Sequence, residues 1–210
     1  MTASTTLFIL AKEPIAGLVK TRLCPPCTPE QAADLALAAL VDTLAAARGV
    51  ANARCVLVLE GDVGPWLPEG IEVIAQGDGG LGERLAAAFA TASGPAVLIG
   101  MDTPQVTTPV LDQVMTELSQ PGVDAILGLT EDGGWWIIGF DCAPPGAFHG
   151  IPMSTRETGR AQRDRLSTLG LRTAPIATAL DVDTFADAEY VARLAPHTEF
   201  ASAVRAVQRP

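Results

Sequence analysis

Lysine is nearly missing from this chain: only Lys12 and Lys20 stand among 14 basic residues, and acidic residues number 24. A net charge of −10 leaves no broad basic face, so nucleic acid is not expected as a partner. Four cysteines in 210 residues are too few for a disulfide scaffold. Cys24-Pro25-Pro26-Cys27 has zinc or redox spacing, but Cys55 and Cys142 form no second pair and no histidine lies near, so the segment reads as structural. His149 and His197 are isolated, and no nucleophile–base triad is visible. No apolar run approaches the roughly 18 residues of a membrane span. Met1–Thr6 lacks a basic leader and Phe8–Leu10 is a short apolar stretch, so a cytoplasmic protein without a signal peptide is expected. What remains is a composition 48% apolar, that of a packed globule, at a length suited to one domain spanning residues 1–210. In so arginine-biased a chain, two surviving lysines eight positions apart point to a special role for at least one of them.

Apolar runs and helical periods alternate along the chain. Strands are expected at Thr6–Ala11, Arg54–Leu59, Ile71–Ala75, Ala96–Ile99, Asp124–Leu129, Trp135–Phe140 and Leu171–Ala177. Thr28-Pro29-Glu30-Gln31 reads as an N-cap, a proline at the first helical position and a capping box, opening a helix to Arg48. Further helices are expected over Leu81–Ala92, from Thr108-Pro109 to Ser119, from a second capping box at Ser154–Glu157 to Gly170, and from Asp183 or Thr184 to Leu194, with an amphipathic piece at the end. Only Thr130–Gly134 separates the fifth and sixth strands, and Asp132-Gly133-Gly134 favours an antiparallel return. The expected fold is α/β: a mainly parallel sheet, helices on both faces and one antiparallel intrusion.

Open α/β sheets gather ligands beyond the carboxyl ends of their strands, so the loops there carry the functional expectations. The first strand ends at Ala11, and the loop behind it runs from Lys12 through Gly17 to Lys20-Thr21-Arg22-Leu23, with Ala11 and Lys12 among the residues expected to bind the donor. Gly17 lets backbone N–H groups approach a ligand, while Lys20 and Arg22 offer point and forked charge to di- or triphosphate oxygens. This is not a Walker A loop, because Val19 precedes the lysine. Gly77, Gly79 and Gly82 match the dinucleotide spacing, but they do not open the first strand–helix unit. A loop passing a base or ribose, with Gly80 and Gly82 close and Arg84 reaching in, is the expectation there.

Asp102, in a turn bounded by Gly100 and Pro104, can reach a hard cation such as Mg²⁺ or Mn²⁺. Asp183 is the second metal candidate, although an Asp before Thr184 also reads as a helix cap, and Asp181 ranks below both. Glu131 and Asp132 lie beside a glycine pair and two tryptophans, one of which must face away from the core in a strand. They are expected to hold or deprotonate a small acceptor, with a tryptophan as platform. Ser154-Thr155-Arg156 reads as a cap that could also touch phosphate or acceptor.

Taken in order, Lys12-Glu13-Pro14, Gly17, Lys20–Leu23, Gly80–Arg84, Leu98–Pro104, Glu131–Gly134 and Asp181–Thr184 resemble the bacterial GT-A-like transferases labelled selenodomain-associated, within the nucleotide-diphospho-sugar transferase superfamily. The Lys-Thr-Arg-Leu loop is more distantly similar to that of the 2-phospholactate guanylyltransferases. The resemblance implies a Rossmann-like GT-A domain and divalent-metal-dependent transfer from a nucleotide donor to a small acceptor, with Asp102 matching the superfamily's metal-binding acid. Met101 and Thr103 replace the usual Ser and Cys around it, and Trp135 replaces the usual Tyr. An NDP-sugar donor leads; a nucleotidyltransferase releasing pyrophosphate and a non-catalytic nucleotide-binding module stay open as alternatives.

Overall fold

The computed structural model describes residues 5–207. Seven strands form one sheet: β1 (Thr5–Lys12), β2 (Ala53–Glu60), β3 (Glu72–Ala75), β4 (Ala96–Gly100), β5 (Ala125–Thr130), β6 (Trp135–Phe140) and β7 (Thr173–Ala179). Their order is β3-β2-β1-β4-β6-β5-β7, and β6 alone runs antiparallel to its neighbours. Among the described residues six helices complete the fold: α1 (Pro29–Arg48), α2 (Leu81–Ala90), α3 (Thr108–Leu118), α4 (Thr158–Thr168), α5 (Phe185–Leu194) and α6 (Glu199–Val207).

The period-2 rule divides the strands between two cores. Leu7, Ile9, Leu57, Val97 and Ile99 face α1 and α3, where Leu40, Leu44, Leu111 and Val114 meet them. Phe8, Val56, Val58 and Leu98 face the other way, onto Leu85 and Phe89 of α2 and Leu166 of α4. Phe89 packs edge-on to Phe8 and Phe140 at ring distances of 5.7 and 5.1 Å. Helices therefore cover both faces, as expected. A third cluster lies outside α1, where Leu35 meets Val191 of α5 and Phe200 of α6.

The Thr28–Gln31 capping box forms as the sequence predicts. The one at Ser154–Glu157 does not. Ser154 takes a left-handed φ of 58°, and α4 starts only at Thr158, behind an N-cap Glu157 that makes no side-chain cap bond. Thr158 is held instead by Pro152: its hydroxyl donates to that carbonyl at 2.6 Å and accepts from the Thr155 amide at 3.0 Å. The seventh strand begins two residues later than expected because Arg172 first clamps onto Asp124. Its backbone and guanidinium both donate to the Asp124 carboxylate, at 2.7–2.9 Å. Thr21–Leu23 adds a single 3₁₀ turn that the pattern did not reveal.

Two features bring the functional loops to one edge. Strand order reverses between β1 and β4, which opens a crevice at their carboxyl ends. Because β6 runs backwards, its first residue, Trp135, and the hairpin Glu131–Gly134 lie at that same edge. Among the described residues no helix is long and apolar enough to cross a membrane.

The Asp124–Arg172 clamp makes a stability prediction. Bonds from Arg172 hold the Asp124 carboxyl down at about 2, so the folded state prefers it ionised. The stabilisation is complete above the ordinary carboxylate range and is lost as pH falls toward about 2. Asp124→Asn should therefore lower the thermal midpoint at neutral pH, and the gap to wild type should close on acidification in paired melts.

Candidate active site

The cleft is built around Lys20. This residue has a left-handed backbone, φ 47°, uncommon for a side chain of its size, and only 12% of its side chain is exposed. Its Nζ meets Asp102 Oδ1 at 2.6 Å and also donates to the Val182 carbonyl. Val182 in turn donates its amide to the Asp102 carbonyl at 2.9 Å, and Gln105 Nε2 donates to the Leu180 carbonyl at 2.6 Å. The loops after β1, β4 and β7 are thus tied together through a single ammonium and a few backbone bonds.

Strand alternation persists beyond β7. Val182 is fully buried in the α1–α5–α6 cluster, which leaves Asp181 and Asp183 to face the cleft together. Asp183 is not the cap of α5. Thr184 takes that role in a capping box with Asp187, and the Asp183 carboxylate pairs with Arg22 at 2.7 Å.

The cleft has two hollows that share Leu10, Arg22, Leu81, Asp102, Ser154 and Asp183. The larger, about 650 Å³, is lined by Ala11, Lys12, Lys20, Gln76, Gly80 and Arg84 among others. Glu60 governs its charge: it pairs with Lys12 at 3.2 Å and Arg84 at 2.6 Å, and those partners hold its carboxyl below the usual range. Gln76 is also fixed, donating to the Ala11 carbonyl at 2.8 Å and accepting from Arg84 at 3.3 Å.

The smaller hollow, about 320 Å³, lies over β4 and β6. Asp132 stands in its wall, its Oδ1 accepting from Thr130 Oγ1 at 2.5 Å and from the Gly134 amide at 2.9 Å. The hairpin lies so close to the segment leading into α4 that a Cβ on Gly133 would collide with the Arg156 carbonyl. That contact sets Thr155 and Thr158 beside Asp132 in the same wall. The two tryptophans take opposite faces, but neither faces away from a core as expected, because helices cover both faces: Trp135 packs on the α2–α4 side, whereas Trp136 is buried on the other side and donates to the Ala177 carbonyl at 3.0 Å. Thr103 Oγ1 and Trp135 Nε1, from two residues of this wall, are shut off from water without a hydrogen-bond partner.

Carboxylate oxygens of Asp132, Asp181 and Asp183 lie within 4.8 Å of one another. Burial pushes the Asp181 carboxyl up to about 6, with the charges of Asp132, Asp183 and Asp102 adding to it. Three carboxylates converging on one cation, the Arg22 guanidinium on Asp183, present hard oxygen donors that suit a divalent ion such as Mg²⁺ or Mn²⁺. Of the two acids expected on the metal, Asp183 is grouped with Asp181 and Asp132, whereas Asp102 stands outside that cluster and is held by Lys20.

Other expected residues lie apart from the hollows. Glu131 is exposed and lines neither one, as are His149 and His197. Gly17 has a φ of 79°, bends the first loop and lines neither hollow. Gly82 packs within α2, where a Cβ would meet the Phe148 carbonyl at 3.1 Å. Cys24 and Cys27 are free thiols. Glu60 and Gln76 were missed, and their only signal was their place at the ends of β2 and β3.

Known proteins share this architecture. A protein of Desulfovibrio desulfuricans G20, provisionally named a nucleotide-diphospho-sugar transferase, superposes with a TM-score of 0.87 at 25% identity, covering 99% of this chain and 96% of that one. A CMP:2-keto-3-deoxy-manno-octonic acid synthetase solved with CTP gives 0.59 at 14% identity, with coverage of 91% and 98%. Rv0371c of Mycobacterium tuberculosis H37Rv, solved with manganese, gives 0.54 at 23% identity, with coverage of 93% and 100%. No protein of curated function matches the sequence. The fold is that of the nucleotide-diphospho-sugar transferases, as the resemblance implied. Residues 31–155 match the family described as "Uncharacterized protein conserved in bacteria (DUF2064)", and the chain belongs to that family.

The raised Asp181 carboxyl has a definite sign. The folded state holds its proton more tightly than the unfolded state, so stability declines as pH rises from the ordinary carboxylate range through about 6. Asp181→Asn should raise the melting temperature near neutral pH and leave it unchanged below pH of about 4. Millimolar Mn²⁺ should raise the melting temperature of the wild type, and the same variant should not show that rise.

Proposed function

We propose that this protein is a divalent-metal-dependent transferase that moves a group from a nucleotide donor to a small acceptor, with an NDP-sugar as the leading donor. The observation that carries the reading is the junction of Lys20, Arg22, Asp102 and Asp183, where a phosphate-sized set of charges lies between a large and a small hollow. The donor belongs in the larger hollow, its base and ribose beside Ala11, Gln76 and Gly80, and the acceptor in the smaller. The name given to the Desulfovibrio protein, the CTP of the synthetase and the manganese of Rv0371c support the class.

Asp181 and Asp183 would hold the metal, with Asp102 as a further ligand once its lysine is engaged by phosphate, which leaves Asp132 as the acid beside them that faces the acceptor. The ion supplies Lewis-acid neutralisation of the donor's phosphate oxygens. Lys20 and Arg22 exchange carboxylate partners for those oxygens and stabilise the negative charge of the departing group. The acceptor's hydroxyl or amine attacks the donor in line, the bond to the leaving phosphate breaks, and the released proton passes to a wall carboxylate, Asp132 in this reading. Thr130 and the Gly134 amide fix the orientation of that carboxylate. Glu131 would act only from the rim.

Nucleotidyl transfer is the second reading, favoured by two cations on one loop, which suit the greater charge of a triphosphate. The products separate the two readings: nucleoside diphosphate from an NDP-sugar, pyrophosphate from an NTP. In a thermal-shift screen, NDP-sugars or NTPs should stabilise the wild type only with Mg²⁺ or Mn²⁺. Lys20→Ala and Asp102→Ala should each cost on the order of 100-fold in turnover. Lys20→Arg should not rescue, because a forked guanidinium cannot replace an ammonium so enclosed. Full nucleotide affinity and metal response in both alanine variants would overturn the assignment.

A further inference from the structure

Which acceptor the small hollow takes can be read from its wall, granted the transferase reading above. Its floor is apolar: Leu81, Leu85, Leu98 and Met153 line it, with the Trp135 ring beside them. Its rim is acidic, with Asp102, Asp132, Asp181 and Asp183 all in the lining. Arg22 is the one cation of that lining, and Asp183 already holds it at 2.7 Å. Lys20 reaches the same rim only through Asp102. Four carboxylates thus face two cations, a deficit that one divalent ion makes good and that the phosphates of a donor reopen. An acceptor bearing its own phosphate or carboxylate would enter that field with no free cation to receive it, and desolvating it there is costly. Arg156, on the adjoining loop, is exposed and does not line the hollow.

We infer that the acceptor is a compact molecule with an apolar body and a hydroxyl or amine nucleophile, carrying neither phosphate nor carboxylate. The apolar body lies on the leucine and methionine floor, and the nucleophile turns toward Asp132 and the hydroxyls of Thr155 and Thr158. A volume of about 320 Å³ holds a small ligand of this kind, not a polymer end with extensive contacts.

Probes with one apolar body and different heads test this: hexanol, hexylamine, hexanoate and hexyl phosphate, each titrated into the protein with Mn²⁺ and a nucleoside diphosphate present and followed by melting temperature. Hexylamine and hexanol should stabilise the protein, and the two anions should bind at least about tenfold more weakly. Met153→Asp, at a half-buried position of the floor, should abolish the shift by hexanol and Met153→Leu should retain it; an unchanged hexanol shift in a folded Met153→Asp variant would overturn the inference. Equal or tighter binding of hexanoate or hexyl phosphate would overturn the inference, as would no shift from any probe. An Arg156→Ala variant that loses an anion's binding would place that anion on the rim and overturn it too. Nucleotide binding is read in the same assay without probes. Nucleotide shifts without head-group discrimination sink only this inference, whereas no nucleotide shift with metal sinks the transferase reading itself.

Discussion

The Lys20 ammonium is the knot of the structure. An enclosed positive charge needs a partner, and this one finds both a carboxylate, Asp102, and a carbonyl, Val182. Those two groups belong to loops that follow β4 and β7, far apart in sequence, and the lysine belongs to the loop after β1. Remove it and the Asp102 charge loses its counterpart while the segment carrying Asp181 and Asp183 loses a tether. A left-handed backbone at Lys20 is the local cost of delivering the side chain there.

Around that knot the protein gathers more negative charge than its own fold can use. Asp132, Asp181 and Asp183 converge although like charges repel, and the Asp181 carboxyl is raised first by its burial and then by those neighbours. A local loss of stability of this kind is characteristic of functional sites. Two other acids are matched with cations: Glu60 pairs with both Lys12 and Arg84 beside the larger hollow, and Asp124 takes Arg172 through three bonds.

How far the site could be read in advance differs residue by residue. Lys20 and Asp102 stood out by rarity and by position at strand ends, and they do meet. Asp183 was obscured by its neighbour, because Asp-Thr before a helix leaves open which residue caps; only the Thr184–Asp187 box frees its carboxylate. Asp181 was underrated because the alternation that turns it toward the cleft depends on Val182 finding a core formed by α1, α5 and α6. Glu60 carries no motif. Its role arises from the pairing of β2 with β1, which sets Glu60 directly beside Lys12.

The alternation of apolar runs with capped helices determined by itself that this is an α/β sheet with one reversed strand, since period, caps and the Asp-Gly-Gly turn are local properties of the chain. It could not determine where Ser154 would lie, because Pro152 and the close approach of Gly133 to Arg156 compete with a capping box and win. Nor could it determine which acids would share a site: that depends on strand order, which brings the ends of β1, β4 and β7 and the turn before β6 to one rim. Local chemistry is written along the chain, whereas electrostatic company is a matter of distances that only folding sets.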